Sequence, residues 1–427
     1  MSNQHAPRSP GRPDERAGPR SLVQRSPGEL RRDVPAVVIG DLSLVRPLAD
    51  EGVPVIVATS STDGPVYHSR MPHGCIELAD LQSSPRRARD QLLRLGDAIE
   101  HDHGRRPLLV YGSDDTLAFL YEHRDALESR FAMSLNDDPL AHALFHKDRF
   151  YHLAQRRGVL VPRTLDAAET PGAARTALDD LSPPLVVKPR SKGGRPSWQS
   201  DLFADQKALV FETREALAGH PVYRQHADEL LVQERIDGSV TDLVSYHGFS
   251  DAAGSPLIAF CGRKLRTYPK VAGESALIEV IEDSDVQRTG EQAARRLGVV
   301  GPYKIDMIRN RRDGLLYVLE VNARFNLWNH LGAAYGINLL IAAYDYLVLG
   351  REPLVSPHRR PHVRWADLYR NSLACRDGED LREVAWSLIR APNVYATFSW
   401  TDPIPAVSWL GSMLKQKWDR VSLRNHR

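Results

Sequence analysis

Acidic and amide side chains interrupt two neighbouring apolar segments of the chain. The segments YKIDMI at 303–308 and LLYVLEVN at 315–322 flank the turn RNRRDG, a pattern that predicts a β-hairpin. Because side chains alternate along a strand, Glu320 and Asn322 share one face of the second strand. Their oxygen atoms either contact water on an open sheet face or bind a ligand there.

The length of the hairpin loop decides whether Asp306 joins this pair. A three-residue loop at 312–314, with Gly314 in the left-handed conformation, places Asp306 opposite Glu320 with Cβ atoms about 5 Å apart. A two-residue turn would shift the register by one residue and place Asp306 on the other face. The shared face therefore requires the longer loop.

Asp306, Glu320 and Asn322 together would supply hard oxygen ligands. Mg²⁺ prefers such ligands, with substrate phosphates and water completing its octahedron. Two buried carboxylates this close are costly unless a cation neutralises them, and the flanking residues of the second strand are apolar. We therefore predict a metal site on this face of the hairpin.

A lysine follows a second apolar segment, VVKP at 186–189. Lys188 lies at the end of this buried strand, where an ammonium group needs an anion. The SKGG loop at 191–194 could close over a phosphate through its backbone N–H groups and act as a lid. No GxxxxGK[ST] motif is present, so the chain is not a P-loop protein. A solvent-exposed lysine is the alternative for Lys188, and also for Lys147 in the helix predicted over 142–159.

Two further segments carry polar groups suited to small ligands. In LLVQERIDG at 230–238, Gln233 and Glu234 end a strand whose backbone could contact a purine edge, and Asp242 could bind ribose hydroxyls. An ordinary amphipathic strand is the alternative. In GRKLRTYPK, strand alternation puts two of the three cations on one face, where arginine can bind a carboxylate through two hydrogen bonds. The candidates for this acid site are Arg263, Lys264 and Arg266, with an exposed basic edge strand as the alternative.

Strands and helices alternate in the first ordered part of the chain. Strands are predicted at 35–40, 54–59 and 107–111, with helices from 42 and from about 115, a pattern typical of a parallel sheet covered by helices. The GxGxxG fingerprint is missing, which argues against a nicotinamide-dependent oxidoreductase. Antiparallel strands then predominate, with helices predicted at 285–297 and 336–350. The predicted domains are a disordered tail at 1–33, a Rossmann-like domain at 34–140, a small lobe at 141–230, a large lobe at 231–350 and a helical appendage at 351–427.

Composition limits the class of protein. The 56 basic and 54 acidic residues leave a net charge of +2 in 427 residues, which argues against nucleic-acid binding as the main function. Three widely separated cysteines indicate a reducing compartment. No segment is long and apolar enough to span a bilayer, and the N-terminus lacks an apolar signal core. We therefore expect a cytoplasmic protein that acts on small molecules.

The motifs occur in the order found in the ATP-grasp superfamily. Lysines before and after a proline-containing linker, a Gln-Glu-x-Ile segment, and Asp followed by Glu-x-Asn on consecutive strands carry the resemblance. The sequence is similar to carboxylate–amine ligases of the D-aspartate ligase and carbamoyl-phosphate-synthase-like branch. The resemblance covers residues 35–350 and is most specific in KIDM and LEVNARF. It implies an α/β and α+β chain with a Rossmann-like domain, a two-lobed module of antiparallel sheets and a small helical C-terminal region.

The resemblance also implies a reaction and a set of contacts. ATP and two Mg²⁺ ions, with Mn²⁺ as an alternative, would bind between the lobes, and an acid would be joined to an amine through an acyl phosphate. The implied contacts are Lys147 and Lys188 with phosphates, Gln233, Glu234 and Ile236 with adenine, Asp242 with ribose, Asp306, Glu320 and Asn322 with metal, and Lys304 and Arg324 with the transferred phosphate. The usual Asn-Pro-Arg is Asn322-Ala323-Arg324 here. A bicarbonate-using carboxylase and a non-catalytic nucleotide-binding regulator remain alternatives, and a homodimer is compatible with the resemblance.

Overall fold

The computed structural model describes residues 32–166, 178–190, 203, 208–270, 273–354, 358–376, 381–389 and 393–411. Contacts gather the described residues from Arg32 onward into one unit. Two sequence-based predictions fall wholly or mostly outside these ranges: the disordered tail at 1–33 and the SKGG lid at 191–194.

A parallel sheet covered by helices forms the first part of the described chain. Its strands are β1 (Ala36–Ile39), β2 (Val55–Thr59), β3 (Gly74–Glu77) and β4 (Leu109–Tyr111), in the spatial order β3-β2-β1-β4. The helices are α1 (Leu42–Ala49), α2 (Pro85–His103), α3 (Asp114–Glu122) and α4 (Arg124–Glu128). All three strand pairs are parallel, which confirms the arrangement predicted from the strand–helix alternation.

The turn from β1 into α1 shows how local sequence shapes this sheet edge. Asp41 caps α1, and its carboxylate accepts a hydrogen bond of 2.8 Å from the backbone N–H of Ser43. Asp at this position satisfies one of the unpaired N–H groups of the first turn. Leu44 and Leu48 lie on the buried side of the helix. The helix therefore begins where the apolar spacing predicts it.

Two helices and a small antiparallel sheet follow. The predicted single helix over 142–159 is wrong: the chain forms α5 (Asp138–Phe145) and α6 (Lys147–Arg156) instead. His146 separates them with φ −108° and ψ 114°, an extended conformation that no helix can contain. The break turns Lys147 into the first residue of α6.

The small sheet has the strand order β5-β8-β6-β7. Its strands are β5 (Thr164–Asp166), β6 (Leu185–Pro189), β7 (Leu209–Phe211) and β8 (Leu230–Glu234). Two short helices, α7 (Arg214–Gly219) and α8 (Pro221–His226), connect β7 to β8. The sheet pairs are antiparallel, and apolar side chains of β6 and β8 form its core.

The large sheet has the strand order β13-β12-β9-β10-β11-β14-β15. Its strands are β9 (Leu243–Ser250), β10 (Pro256–Tyr268), β11 (Glu274–Ile281), β12 (Gly301–Arg309), β13 (Leu316–Asn322), β14 (Arg364–Ala366) and β15 (Asn393–Tyr395). The helices around it are α9 (Ser284–Leu297), α10 (Trp328–Tyr335), α11 (Leu339–Leu347), α12 (Leu368–Arg376) and α13 (Leu381–Ile389). The region predicted as a helical appendage thus also adds β14 and β15 to this sheet. Among the described helices, none combines the length and apolarity needed to cross a bilayer.

The loop between β12 and β13 is longer than predicted. Asn310 and Leu315 pair through a backbone hydrogen bond of 2.9 Å, so four residues rather than three form the loop. Gly314 has φ +73°, the left-handed conformation expected of it. With this loop alone, Asp306 would lie opposite Leu319 and its side chain would face away from Glu320.

A β-bulge in β13 restores the register. Met307 pairs with Val318, whereas the preceding Asp306 pairs with Glu320, so Leu319 is an extra residue in β13. A bulge of this kind re-aims every side chain beyond it. The predicted pairing of Asp306 with Glu320 is therefore confirmed, although the loop length from which it was predicted is wrong.

Gly314 offers a test of the hairpin. A Cβ there would meet no heavy atom within 4 Å, so Gly314→Ala tests backbone conformation alone. We expect its free energy of unfolding to fall by about 1–2 kcal/mol, because residues with a Cβ resist the left-handed conformation. Urea denaturation measures the change. Gly74→Ala is the matched control, because Gly74 is equally uncrowded and lacks a positive φ; equal losses for both variants would contradict the prediction.

Candidate functional site

The hairpin brings the three predicted oxygen ligands to one face of the large sheet. Asp306 lies opposite Glu320, and Lys304 lies opposite Asn322. The amide Nδ2 of Asn322 donates to Oε1 of Glu320 at 3.2 Å, which leaves the amide oxygen of Asn322 directed elsewhere. Asp306 and Asn322 are each only 7% exposed. Ser245 on β9, which the sequence analysis did not select, donates its hydroxyl to Asp306 Oδ1.

Lys304 balances part of the negative charge of this face. Its ammonium lies 2.9 Å from Asp306 Oδ2 and 4.9 Å from the ring centroid of Trp328. Burial lowers the pKa of Lys304, and the attraction of Asp306 opposes that shift. The face therefore carries two carboxylates, an amide and one ammonium.

The donor set fits a hard divalent cation. Carboxylate and amide oxygens are the protein ligands that Mg²⁺ accepts, usually with phosphate and water supplying the rest. No group of three His, Cys, Asp or Glu residues suited to a metal occurs within the described ranges. A cation here would therefore depend on Asp306, Glu320 and Asn322 together with the oxygens of a bound substrate.

Lys188 carries positive charge near this face from the small sheet. Its ammonium donates to Gln233 Oε1 at 3.0 Å, and Gln233 Nε2 in turn donates to Thr164 Oγ1 at 2.9 Å. Burial lowers the pKa of Lys188, and the attraction of Glu320 is the force that opposes this shift. The charge of Glu320, on the large sheet, therefore acts on a lysine of the small sheet. Gln233 orients the lysine rather than pointing into open solvent, since it is 2% exposed.

Tyr151 connects the same elements, and the sequence analysis missed it. Its hydroxyl donates to the backbone oxygen of Leu319 at 2.9 Å, at the bulge next to Glu320. Burial raises the pKa of Tyr151, while Gln233 acts to lower it. In the sequence Tyr151 belongs to the apolar stripe of a predicted helix, so only its hydroxyl could have suggested a polar role.

Three predicted nucleotide contacts lie at the last residue of β8 and in the segment that follows it. The Glu234 carboxylate accepts a hydrogen bond of 2.8 Å from the backbone N–H of Ser182, and Ile236 is partly exposed. Asp242 forms an ion pair with Arg311 at 2.8 Å. Burial would raise the pKa of Asp242, but hydrogen bonds from Ser239 and the charge of Arg311 outweigh it and hold the pKa below its usual value.

Lys147 and Arg324, which were predicted to contact phosphates, each bond to specific groups of the protein. The Lys147 ammonium donates to the backbone oxygen of Pro189 at 3.0 Å, beside the end of β6. The Arg324 guanidinium contacts both carboxylate oxygens of Asp114, at 2.8 and 3.2 Å, and the backbone oxygen of Gly112 at 3.1 Å. Burial would lower the pKa of Arg324, but Asp114 outweighs it and raises the pKa. Arg324 thus ties the hairpin to the start of α3.

The predicted acid site divides between two faces of β10. Lys264 pairs with Ile278 and Arg266 with Leu277, because a bulge lies between the two cations. The prediction that they share a face is therefore wrong. Arg266 donates to Asn371 Oδ1 at 2.7 Å, and Arg263 forms an ion pair with Glu279. The charge of Lys264, like that of Lys304, lowers the pKa of the buried His247, which pairs with Lys304 on the neighbouring strand.

No protein-family model matches the sequence, and no curated protein sequence matches it either. Solved structures match the fold. One is L-amino acid ligase from Bacillus licheniformis, with TM-score 0.53, 16% identity and coverage of 74% of this chain and 75% of that chain. Another is biotin carboxylase from Campylobacter jejuni in complex with a β-γ-ATP ligand, with TM-score 0.55, 14% identity and coverage of 76% and 72%. A third is N5-carboxyaminoimidazole synthetase from Staphylococcus aureus with ADP, with TM-score 0.56, 14% identity and coverage of 77% and 80%.

These likenesses define a class of fold. The chain has the ATP-grasp fold, with a parallel sheet followed by a small and a large sheet that are mainly antiparallel. The resemblance noted in the motifs is thereby confirmed at the level of architecture. Identities of 13–16% carry the comparison no further than the fold.

Proposed function

We propose that the protein is an ATP-dependent ligase that joins a carboxylic acid to an amine. The main support is that Asp306, Glu320 and Asn322 lie on one face of the large sheet, and that Glu320 attracts the Lys188 ammonium of the small sheet. This arrangement combines oxygen ligands for a cation with a lysine suited to phosphate. ATP would bind between the two sheets, with its adenosine near Glu234, Ile236 and Asp242.

The chemistry requires activation of the acid. A carboxylate is a poor electrophile, and an amine does not displace its oxygen at neutral pH. Transfer of the γ-phosphoryl group to that oxygen creates an acyl phosphate with a good leaving group, which the amine then displaces to release phosphate. We propose that Asp306, Glu320 and Asn322 hold two Mg²⁺ ions. These ions would neutralise the negative charge that is spread over the transferred phosphoryl group.

Protein cations would do the remaining positioning. Lys147 and Lys188 lie at the start of α6 and at the end of β6, where they would contact the phosphates. Lys304 would contact the transferred phosphoryl group, because its ammonium already lies beside Asp306. Arg324 would contact the transferred phosphate from the part of the hairpin next to Asp114. Lys264 is the candidate for binding the acid. Fixed charges in a water-poor site stabilise the transition state without reorganisation.

A bicarbonate-using carboxylase is the second candidate. Two of the matched structures are named biotin carboxylase and N5-carboxyaminoimidazole synthetase, so the fold also accommodates carboxylation in other proteins. Both reactions consume ATP and pass through an acyl phosphate. Bicarbonate dependence separates them: ADP release by a ligase persists in bicarbonate-free buffer, whereas release by a carboxylase stops.

A matrix of acids against amines tests the proposal. ADP release is measured for each pair, with Glu320→Gln as the enzyme blank and with bicarbonate removed in a parallel series. We expect release that requires one acid and one amine together, and formation of a hydroxamate when hydroxylamine replaces the amine. Absence of pair-dependent release from the wild-type protein across a broad matrix would contradict a ligase and favour a nucleotide-binding regulator.

A further inference from the structure

Tyr151 lies in α6, four residues after Lys147, and is 3% exposed. Side chains four residues apart lie on the same face of a helix, so α6 presents the lysine and the tyrosine to one side. The Lys147 ammonium contacts the end of β6, and the Tyr151 hydroxyl donates to the backbone oxygen of Leu319 in β13. One helix therefore contacts both the strand that carries Lys188 and the strand that carries Glu320.

The strand β13 needs support from outside the sheet, because it is an edge strand. It is the outermost strand in the order of the large sheet and pairs with β12 on one side. Two of the three proposed metal ligands, Glu320 and Asn322, lie on it. Among the described strands, none pairs with its other side, so backbone groups there need different partners.

Two backbone groups at the bulge are bonded to the chain between Tyr151 and Leu160. The backbone N–H of Val318 donates to the backbone oxygen of Leu160 at 2.8 Å. The backbone oxygen of the next residue, Leu319, accepts the hydrogen bond of 2.9 Å from Tyr151. Leu319 is the extra residue of the bulge, so both bonds lie where β13 departs from regular pairing with β12. Contacts from outside the sheet thus fix the irregular part of this strand.

The surroundings of Tyr151 keep its hydroxyl a hydrogen-bond donor. The residue belongs to an apolar cluster that includes Phe150, Val318 and Val321. Burial raises the pKa of Tyr151, so the phenol stays protonated at neutral pH. A buried phenol needs an acceptor and a carbonyl in a bulge needs a donor, so each group satisfies the other. Phenylalanine at this position would keep the packing and deprive the Leu319 carbonyl of this donor.

We propose that Tyr151 is a positioning residue for the metal site. Its hydroxyl fixes the bulge, and the bulge determines that Glu320 rather than Leu319 lies opposite Asp306. The tyrosine acts through the backbone of β13. This role rests on the proposed function, because it requires that Glu320 binds the metal ion of that reaction.

Gln233 allows metal binding to be separated from nucleotide binding. Its side chain interacts with the Tyr151 hydroxyl and also bonds to Lys188 and Thr164. The latter two partners remain when the hydroxyl is removed, so Lys188 stays oriented toward its phosphate. Loss of the hydroxyl should therefore weaken binding of the metal ion and leave binding of metal-free ADP unchanged.

Tyr151→Phe tests the role, and Tyr344→Phe is the matched control. Tyr344 is also buried, its hydroxyl donates to the backbone oxygen of Val34 at 2.8 Å, and it belongs to a different core cluster. Mn²⁺ binding to the full chain is measured by electron paramagnetic resonance at saturating ADP, and ADP binding without divalent cations by calorimetry. We expect Tyr151→Phe to bind Mn²⁺ about five- to tenfold more weakly and to bind ADP alone as wild type does. Tyr344→Phe should match the wild type in both measurements.

Hydrogen–deuterium exchange reports on the strand itself. We expect the peptide that covers residues 315–322 to exchange faster in Tyr151→Phe than in the wild type, and at the wild-type rate in Tyr344→Phe. Both variants lose one buried hydrogen bond to a backbone oxygen, so both should unfold at a similarly lowered temperature. A general loss of stability therefore does not explain a difference between them.

Unchanged Mn²⁺ affinity in Tyr151→Phe would overturn the proposal, and so would equal losses in both variants or a matching loss of affinity for metal-free ADP. Failure of the wild-type protein to bind Mn²⁺ with ADP would overturn it together with the metal site. Weaker Mn²⁺ binding by Tyr151→Phe, without pair-dependent ADP release from the wild type, would support the positioning role and reject the ligase. Pair-dependent release with the same Mg²⁺ requirement in Tyr151→Phe and wild type would support the ligase and reject the positioning role.

Discussion

Glu320→Gln is expected to remove ATP turnover and to leave the fold intact. Glutamine keeps the shape of the side chain and an oxygen that can accept from Asn322, so the hairpin retains its hydrogen bond. It removes the negative charge that a cation would require and that attracts Lys188. We expect a fall in kcat of about 100-fold or more, the size seen when one electrostatic stabiliser is removed from a transition state. Substrate-dependent ADP release measures it.

Glu122→Gln is the appropriate comparison for this variant. Glu122 ends α3 and is exposed, so the same chemical change there should leave turnover unchanged. Circular dichroism and thermal unfolding establish that both variants fold. Near-wild-type turnover by Glu320→Gln would show that the pair of carboxylates on the hairpin does not hold a metal ion.

Lys188→Met is expected to weaken binding of ADP by about 10- to 100-fold. The loss corresponds to one charge-assisted hydrogen bond, worth about 1.5–3 kcal/mol. Methionine retains much of the apolar stem of the lysine but cannot bind a phosphate. Calorimetric titration of ADP in the presence of Mg²⁺ measures the change. Equal affinity in wild type and variant would remove Lys188 from the nucleotide site.

The lowered pKa of Lys188 adds a dependence on pH. Phosphate binding requires the protonated ammonium, so affinity should be greatest at low pH and should fall as pH rises through the lowered pKa of the lysine. An ordinary lysine, with a pKa of about 10.4, would lose its proton only at higher pH. Lys188→Arg remains charged throughout this range and should abolish that pH dependence. A profile that is identical in both proteins would assign the pH dependence to another group.

Local patterning was sufficient for much of the architecture. The alternation of apolar segments predicted the parallel sheet, and the apolar spacing predicted where α1 begins. These features depend on interactions between residues a few positions apart, which the sequence displays directly. The helix over 142–159 failed because His146 interrupts an otherwise helical pattern with an extended conformation, and no glycine or proline marks that position.

The hairpin shows both the strength and the limit of such reasoning. Alternation correctly put Glu320 and Asn322 on one face, and Asp306 does pair with Glu320. The prediction reached that pairing through the wrong loop, because the extra residue at Leu319 compensates for a longer turn. A bulge changes register without a distinctive residue type, and the bulge in β10 separates Lys264 from Arg266 in the same manner.

From its residues alone, the chain specified which groups could bind magnesium, phosphate and an acid, since donor chemistry belongs to the side chains themselves. The tertiary structure then decided which of these groups lie close together. Arg324 meets Asp114 from 210 residues away, and Tyr151 reaches the backbone of Leu319 from 168 residues away. Asn326 lines a crevice together with residues at the ends of β1, β2 and β4, near the other end of the chain. Such contacts depend on how elements that are distant in sequence pack against each other. The pattern of a few neighbouring residues does not predict that packing.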